Sequence, residues 1–294
     1  LTYFDEAYSG KVFIMSRSTY EDATAVIYGM PMDWTVSFRP GSRFGPGRIR
    51  EASIGLEEYS FRLDAHLEDV AYYDAGDLML PFGNATKSLA MIREFAKSLF
   101  KDGKFPLGLG GEHLVSWPVI QEAHAAYPDL ALIHIDAHAD LRVSYEGEVL
   151  SHATPIRKAC ELLGADNVYS FGIRSGSREE YDYARSSGMH FYPEQVFEPI
   201  KKALPSLQGR PVYITIDIDV LDPASAPGTG TAEAGGITSR ELLETLYALS
   251  AANINIVGAD LVEVAPAYDN ADQTSITAAK LIREMLLGWI PKST

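Results

Sequence analysis

The run ALIHIDAHADLR, residues 131–142, opens as an apolar strand and closes on Asp136, His138 and Asp140. A short apolar run without polar alternation reads as a strand covered on both faces, as in a parallel sheet. The three polar residues behind it are spaced by two, so in extended backbone they share one face. Similar runs recur outward from this stretch: AVIYG at 25–29, VAYYDAG at 70–76, FPLGLG at 105–110, VYSFGI at 168–173, MHFY at 189–192, VYITIDI at 212–218 and INIVGAD at 254–260. Between them lie segments with apolar residues at helical spacing, among them SLAMIREFAKSLF, ATPIRKACELLG, SRELLETLYALSA and SITAAKLIREMLL. Alternating strands and helices imply an α/β protein, a three-layer α/β/α sandwich around a mostly parallel eight-stranded sheet. With no linker, repeat or low-complexity segment, one domain over 1–294 is expected.

Composition narrows the function classes. The chain has 294 residues, 46% of them apolar and 22% charged, enough to bury a large core. Its net charge of −15 argues against a nucleic-acid partner, which needs clustered Lys and Arg, and mildly favours approach of a cationic small molecule. The single cysteine, Cys160, excludes an intrachain disulfide, fits a reducing compartment, and reads as core within RKACELL. No stretch approaches the roughly 18 apolar residues of a membrane span, and the amino terminus lacks a basic segment leading into an apolar one. A cytoplasmic protein without a membrane partner is expected.

Four strand ends carry chemistry-bearing residues. FPLGLG runs into GEH and delivers His113; LALIHI runs into DAHAD; VYITI runs into DIDVLDP and delivers Asp217 and Asp219; INIVGAD runs into LVEVAP and delivers Glu263. Open α/β sheets bind ligands outside the carboxyl ends of their strands, so these residues are expected to meet. Two imidazoles and four aspartates at one sheet edge need neutralising. A pair of like charges at about 4 Å repels by roughly 4 kcal/mol at an effective dielectric near 20. Three such pairs would consume most of a typical stability of about 5 to 15 kcal/mol. Either protons or cations must neutralise such a cluster, and two divalent cations would balance the four carboxylates.

The motifs GGEH, DAHAD, SHATP, DIDVLDP and EVAP, in that order, resemble those of the arginase and agmatinase family of ureohydrolases. The resemblance extends from RPGSRFGPGRIR through GTGTAEAGG to EVAP. It implies a two-manganese centre that hydrolyses a guanidino group to urea and an amine. Position by position, it makes His113 and Asp140 ligands of one ion, His138 and Asp219 ligands of the other, and Asp136 and Asp217 bridges. A set rich in carboxylate oxygen with one imidazole per ion suits Mn²⁺, and would also take Co²⁺, Zn²⁺ or Fe²⁺. As a ligand close to the bridging position, Asp140 is also placed to accept a hydrogen bond from the nucleophile. The resemblance further implies that His152 shuttles a proton to the leaving amine and that Glu263 pairs with the substrate guanidinium, with Thr231 nearby. It also implies a homo-oligomer, a trimer or hexamer.

The substrate is read from departures within the family. RVSYEGEVLSHAT, 142–154, lacks the serine and asparagine run with which arginases meet an amino-acid carboxylate, and offers two glutamates instead. FGIRSGSREE, 171–180, lacks the aspartate that arginases place against the substrate's amino group. Agmatine, giving putrescine and urea, is therefore expected ahead of arginine, guanidinobutyrate or formiminoglutamate. Tyr145, Glu146 and Glu148 are candidates for the distal amine. A metal-dependent deacylase and a non-catalytic relative are the other readings; the full ligand set counts against the first, and intact His152 and Glu263 against the second. His134 reads equally as a packed strand residue or as a support for Asp136. Asp222 reads as a turn former, Trp34, Trp117 and Trp289 as packing, and RPGSRFGPGRIR as a loop whose arginines brace the sheet edge.

Overall fold

The computed structural model describes residues 12–292, so the ends of the expected 1–294 domain lie outside the described residues. The strands are β1 (Ala25–Met30), β2 (Tyr59–Ser60), β3 (Ala65–His66), β4 (Tyr72–Asp77), β5 (Phe105–Gly110), β6 (Ala131–Ile135), β7 (Val168–Ile173), β8 (His190–Pro193), β9 (Pro211–Asp217) and β10 (Asn255–Val262). The α-helices are α1 (Gly45–Ser53), α2 (Ala85–Lys101), α3 (Ser116–Ala126), α4 (Pro155–Leu163), α5 (Arg178–Ser186), α6 (Phe197–Leu207), α7 (Ser239–Ala251) and α8 (Gln273–Trp289). No helix among the described residues is long and apolar enough to cross a membrane.

All eight expected strands pair in one sheet, in the order β4-β1-β5-β10-β9-β6-β7-β8, and every pairing in it is parallel. Strands β1, β6 and β9 are buried along their whole length. That explains their unbroken apolar runs: helices cover both faces, so successive side chains enter opposite cores. Ile27, Ile133, Ile135, Ile214 and Ile216 face the core shared with α1, α6, α7 and α8. Val26, Tyr28, Leu132 and Tyr213 face the core shared with α2, α3 and α4.

Two features depart from the expectation. Strands β2 and β3 form a small antiparallel pair outside the main sheet, too short to leave a period in the sequence. The segment 39–50, expected as a loop, winds into a short 3₁₀ turn and then α1, with Pro46 in the first helical turn. Proline suits that position because the first turn needs no N–H donor. Gly45 is required there for packing: a Cβ would lie 2.5 Å from the carbonyl oxygen of Val264.

The expected bracing by arginine is seen at Arg50. Its buried guanidinium donates through Nε and Nη2 to both carboxylate oxygens of Asp74 at 2.8 and 2.9 Å, and through Nη1 to Asp77, both on the edge strand β4. Removing one partner of such a pair leaves a buried charge uncompensated. Arg50→Ala is therefore expected to cost about 3–5 kcal/mol of unfolding free energy, read from urea denaturation. A loss below about 1 kcal/mol, the range of exposed pairs, would contradict the bracing role.

Candidate metal centre and active site

The neighbouring strands β5, β10, β9 and β6 end side by side, and the residues that follow them build the site. The polypeptide after β6 is pinned to the end of β7: the N–H of Asp136 donates to the Phe171 carbonyl and that of Ala139 to the Ser175 carbonyl. The loop after β9 is held by Arg174, whose guanidinium donates to the carbonyls of Asp219, Val220, Glu233 and Ala234. Asp140 and Glu263 have left-handed backbone, φ 51° and 65°. Each such non-glycine residue costs on the order of 1–3 kcal/mol, and strain of this kind gathers at functional sites.

All six expected ligands converge. His113 Nδ1 lies 2.9 Å from Asp136 Oδ2, 3.1 Å from Asp140 Oδ2 and 3.5 Å from Asp217 Oδ2. His138 Nδ1 lies 2.9 Å from Asp219 Oδ2 and 3.7 Å from Asp136 Oδ1. One oxygen of Asp136 thus faces each imidazole, as a bridging carboxylate requires. Despite three oxygens around it, His113 Nδ1 is buried and in hydrogen-bond geometry with none of them. Donor atoms at right angles on an octahedral ion with bonds near 2.1 Å would stand roughly 3 Å apart, which is the spacing seen.

Hydrogen bonds set the tautomer of His113. Thr215 Oγ1 donates to Asp260 Oδ1 at 2.5 Å, so it can only accept from His113 Nε2, 3.0 Å away. In the neutral ring the lone pair is thereby left on Nδ1, the atom facing the carboxylates. Against burial, Asp136 and Asp140 hold a proton on the ring when no cation competes for Nδ1, and raise His113 well above the usual imidazole range. Asp260 also accepts from Tyr213 Oη at 2.7 Å. His134, poised between two readings in the sequence, is both packed and supporting: it is fully buried, and its Nε2 donates to Asp136 Oδ2 at 2.8 Å.

The electrostatics describe a cluster in want of positive charge. Burial, then the carboxylates of Asp219, Asp136 and Glu263, push Asp217 well above the usual carboxylate range. Burial and Asp136 likewise raise Asp219, against the pull of His138. Asp136 is held well below that range, against burial, by His113, His134 and His138. Burial first and Glu112 second push Glu263 up to about 8. The donor set, its spacing and its charge fit divalent cations.

His138, Asp140 and Asp217 line a cavity of about 240 Å³ together with His113, Ser37, Tyr145, His152, Thr231 and Glu263. Glu263 Oε1 accepts from the N–H of His113 at 2.9 Å, and Thr231 Oγ1 donates to Asp219 Oδ2 at 3.4 Å. His152 Nδ1 lies 2.8 Å from the Thr35 carbonyl oxygen, which can only accept, so Nε2, whose neighbour is Ser37 Oγ at 3.5 Å, is the ring atom left for exchange. Glu146 and Glu148 line an adjoining groove instead, which meets the cavity at Ser37 and Tyr145. Asp222 shapes its turn, accepting from the N–H groups of Ala224, Gly235 and Gly236. Thr35, Ser37 and Glu112 were not read from the sequence; two sit in an aperiodic loop, and Glu112 was overshadowed by His113.

The sequence matches the arginase family model over residues 23–288, and the chain belongs to the arginase family. Within it, the chain is 68% identical to the agmatinase of Halalkalibacterium halodurans, over 98% of this chain and 99% of that one. The agmatinase of Bacillus anthracis matches at the same identity and coverage. The crystal structure of the agmatine ureohydrolase of Thermoplasma volcanium superposes with a TM-score of 0.86 at 33% identity, covering 98% of this chain and 97% of that one.

Proposed function

We infer that the protein hydrolyses agmatine to putrescine and urea. The observation that carries the substrate is the 68% identity, over nearly the whole of both chains, to an enzyme named for that activity. The geometry supports the chemistry. We assign His113 and Asp140 to one ion, His138 and Asp219 to the other, and Asp136 and Asp217 as bridges. Two Mn²⁺ per chain suit these donors, with Co²⁺, Zn²⁺ and Fe²⁺ as competitors. Divalent ions held there supply Lewis acidity and make water nucleophilic near neutral pH.

The chain's own residues do the rest. The Glu263 carboxylate accepts paired N–H bonds from the guanidinium, whose positive charge restores what burial takes from the ionised form. Thr231, hydrogen-bonded to Asp219, lines the same wall. Asp140, on the backbone kink, accepts a hydrogen bond from the nucleophile and aims it at the guanidino carbon. The attacking water gives up a proton, which His152 takes on Nε2 while its Nδ1–H stays on the Thr35 carbonyl. As the bond from the guanidino carbon to the alkyl-bearing nitrogen breaks, Nε2 passes that proton to the departing amine. The added oxygen loses its remaining proton to become the carbonyl of urea. A homo-oligomer working in polyamine synthesis fits this reading, and the buried thiol of Cys160 suits a reducing cytoplasm.

The test is urea release across a guanidine panel with Mn²⁺ present. Agmatine is expected to exceed arginine and 4-guanidinobutyrate by about 10²-fold or more in kcat/KM. Their carboxylates would enter a cavity lined by Asp140, Glu180, Asp217 and Glu263, where Arg142 is already paired with Glu180. A reversed order would move the substrate elsewhere in the family.

A further inference from the structure

Behind the cavity, Glu112 and Thr35 form a chain of hydrogen bonds that ends on His152. The Glu112 carboxylate is fully buried at the end of β5, one residue before His113. Its Oε2 accepts the Thr35 N–H at 2.8 Å and its Oε1 accepts the Thr35 hydroxyl at 2.9 Å. Thr35 in turn accepts twice from His152: its Oγ1 takes the main-chain N–H at 2.9 Å, and its carbonyl takes ring Nδ1 at 2.8 Å. Each group has one role available. The hydroxyl proton is committed to the carboxylate, so the hydroxyl oxygen must accept from His152, and the carbonyl can only accept.

We propose that Thr35 and Glu112 are positioning residues for His152, fixing its tautomer and aiming Nε2 into the cavity for proton delivery. The inference rests on the reading of His152 as the proton donor. A carboxylate that merely stapled the loop at 31–41 would need no partner relaying its hold onto an imidazole. Here one threonine grips both the backbone and the ring of the same histidine. Because Glu112 and His113 adjoin, the same strand end that presents a metal-grade imidazole also sets, through Thr35, the group that hands over the proton.

The test uses the Mn²⁺-loaded protein, with kcat and KM for agmatine, bound metal and thermal stability measured on each variant. Thr35→Val removes the hydroxyl at constant shape. It is expected to lower kcat by about 10- to 100-fold with KM nearly unchanged and two ions retained, a fraction of what a general acid contributes. Thr35→Ser, which keeps both hydroxyl bonds, is expected to stay within about threefold of the unaltered protein. Glu112→Gln, which keeps size but loses an acceptor, is expected to fall between them. In a His152→Ala background, Thr35→Val should cost less than about twofold, since residues acting through one group are not additive.

An undiminished kcat in Thr35→Val overturns the proposal, and so does an equal loss with and without His152. Loss of metal in Glu112→Gln assigns that effect to His113 and overturns the role of Glu112. Full activity of His152→Ala itself would instead remove His152 as proton donor, a failure of the underlying reading that is visible before any Thr35 variant is made.

Discussion

Asp217→Asn is expected to strip the protein of bound metal and to lower urea release from agmatine by about 10³-fold or more, some 4 kcal/mol of transition-state stabilisation. The substitution is close to isosteric. An Asn side-chain oxygen can still accept the Asp219 N–H, which Asp217 Oδ1 does at 2.9 Å, so the turn after β9 should survive. What disappears is a charged oxygen beside His113 Nδ1 and one of the carboxylates that push one another upward in the buried cluster. The metal-free variant should therefore unfold at a temperature equal to or above that of the metal-free parent. The parent alone should gain stability on adding Mn²⁺, because an ion that binds only the folded state stabilises it by mass action. Elemental analysis and thermal melts with and without Mn²⁺ read both effects. Two ions per chain in the variant would show that Asp217 is not a bridge.

The second large effect is expected from Glu263→Gln, a loss of about 10² to 10³ in kcat/KM with metal content unchanged. The amide can still accept the His113 N–H, so the strand end and the ligand it presents keep their shape. The charge that would face a guanidinium is lost, and breaking a buried, hydrogen-bonded charge pair costs about 2–5 kcal/mol. The sign of the effect separates substrate classes. A cationic guanidino compound needs the carboxylate, whereas a neutral amide, as a deacylase would take, gains little from it. Unchanged kcat/KM for agmatine would exclude Glu263 from guanidinium recognition.

Much of this site is legible in the sequence for a geometric reason. Strands buried on both faces leave unbroken apolar runs, and ligands placed directly after such strands fall two apart, as Asp136, His138 and Asp140 do and as Asp217 and Asp219 do. Strand order and the supports of the ligands are different in kind. Thr35 meets Glu112 from 77 positions away and His152 from 117, out of a loop with no periodicity. His134 sits on a buried strand where a packed imidazole and an oriented one share the same pattern; only the 2.8 Å approach to Asp136 distinguishes them. Helix α1 was hidden by its own start, since Gly45, Pro46 and Gly47 read as loop until Gly45 is seen against Val264. Of the three candidates for the distal amine, Tyr145 lines the cavity while Glu146 and Glu148 line the adjoining groove, a distinction that loop position in the sequence does not carry.

The sheet order has a consequence for how the protein comes into being. Strand β10, near the end of the chain, lies at the middle of the sheet between β5 and β9. A ribosome must therefore release the chain through Glu263 before the slot between those two strands can be filled and Glu263 can arrive opposite His113. Until then a nascent chain carries two open strand edges and a scattered set of carboxylates. Translation delivers this keystone after the other seven strands of the sheet, so any arrest or truncation before β10 should yield chains that chaperones must shield rather than partly active enzyme.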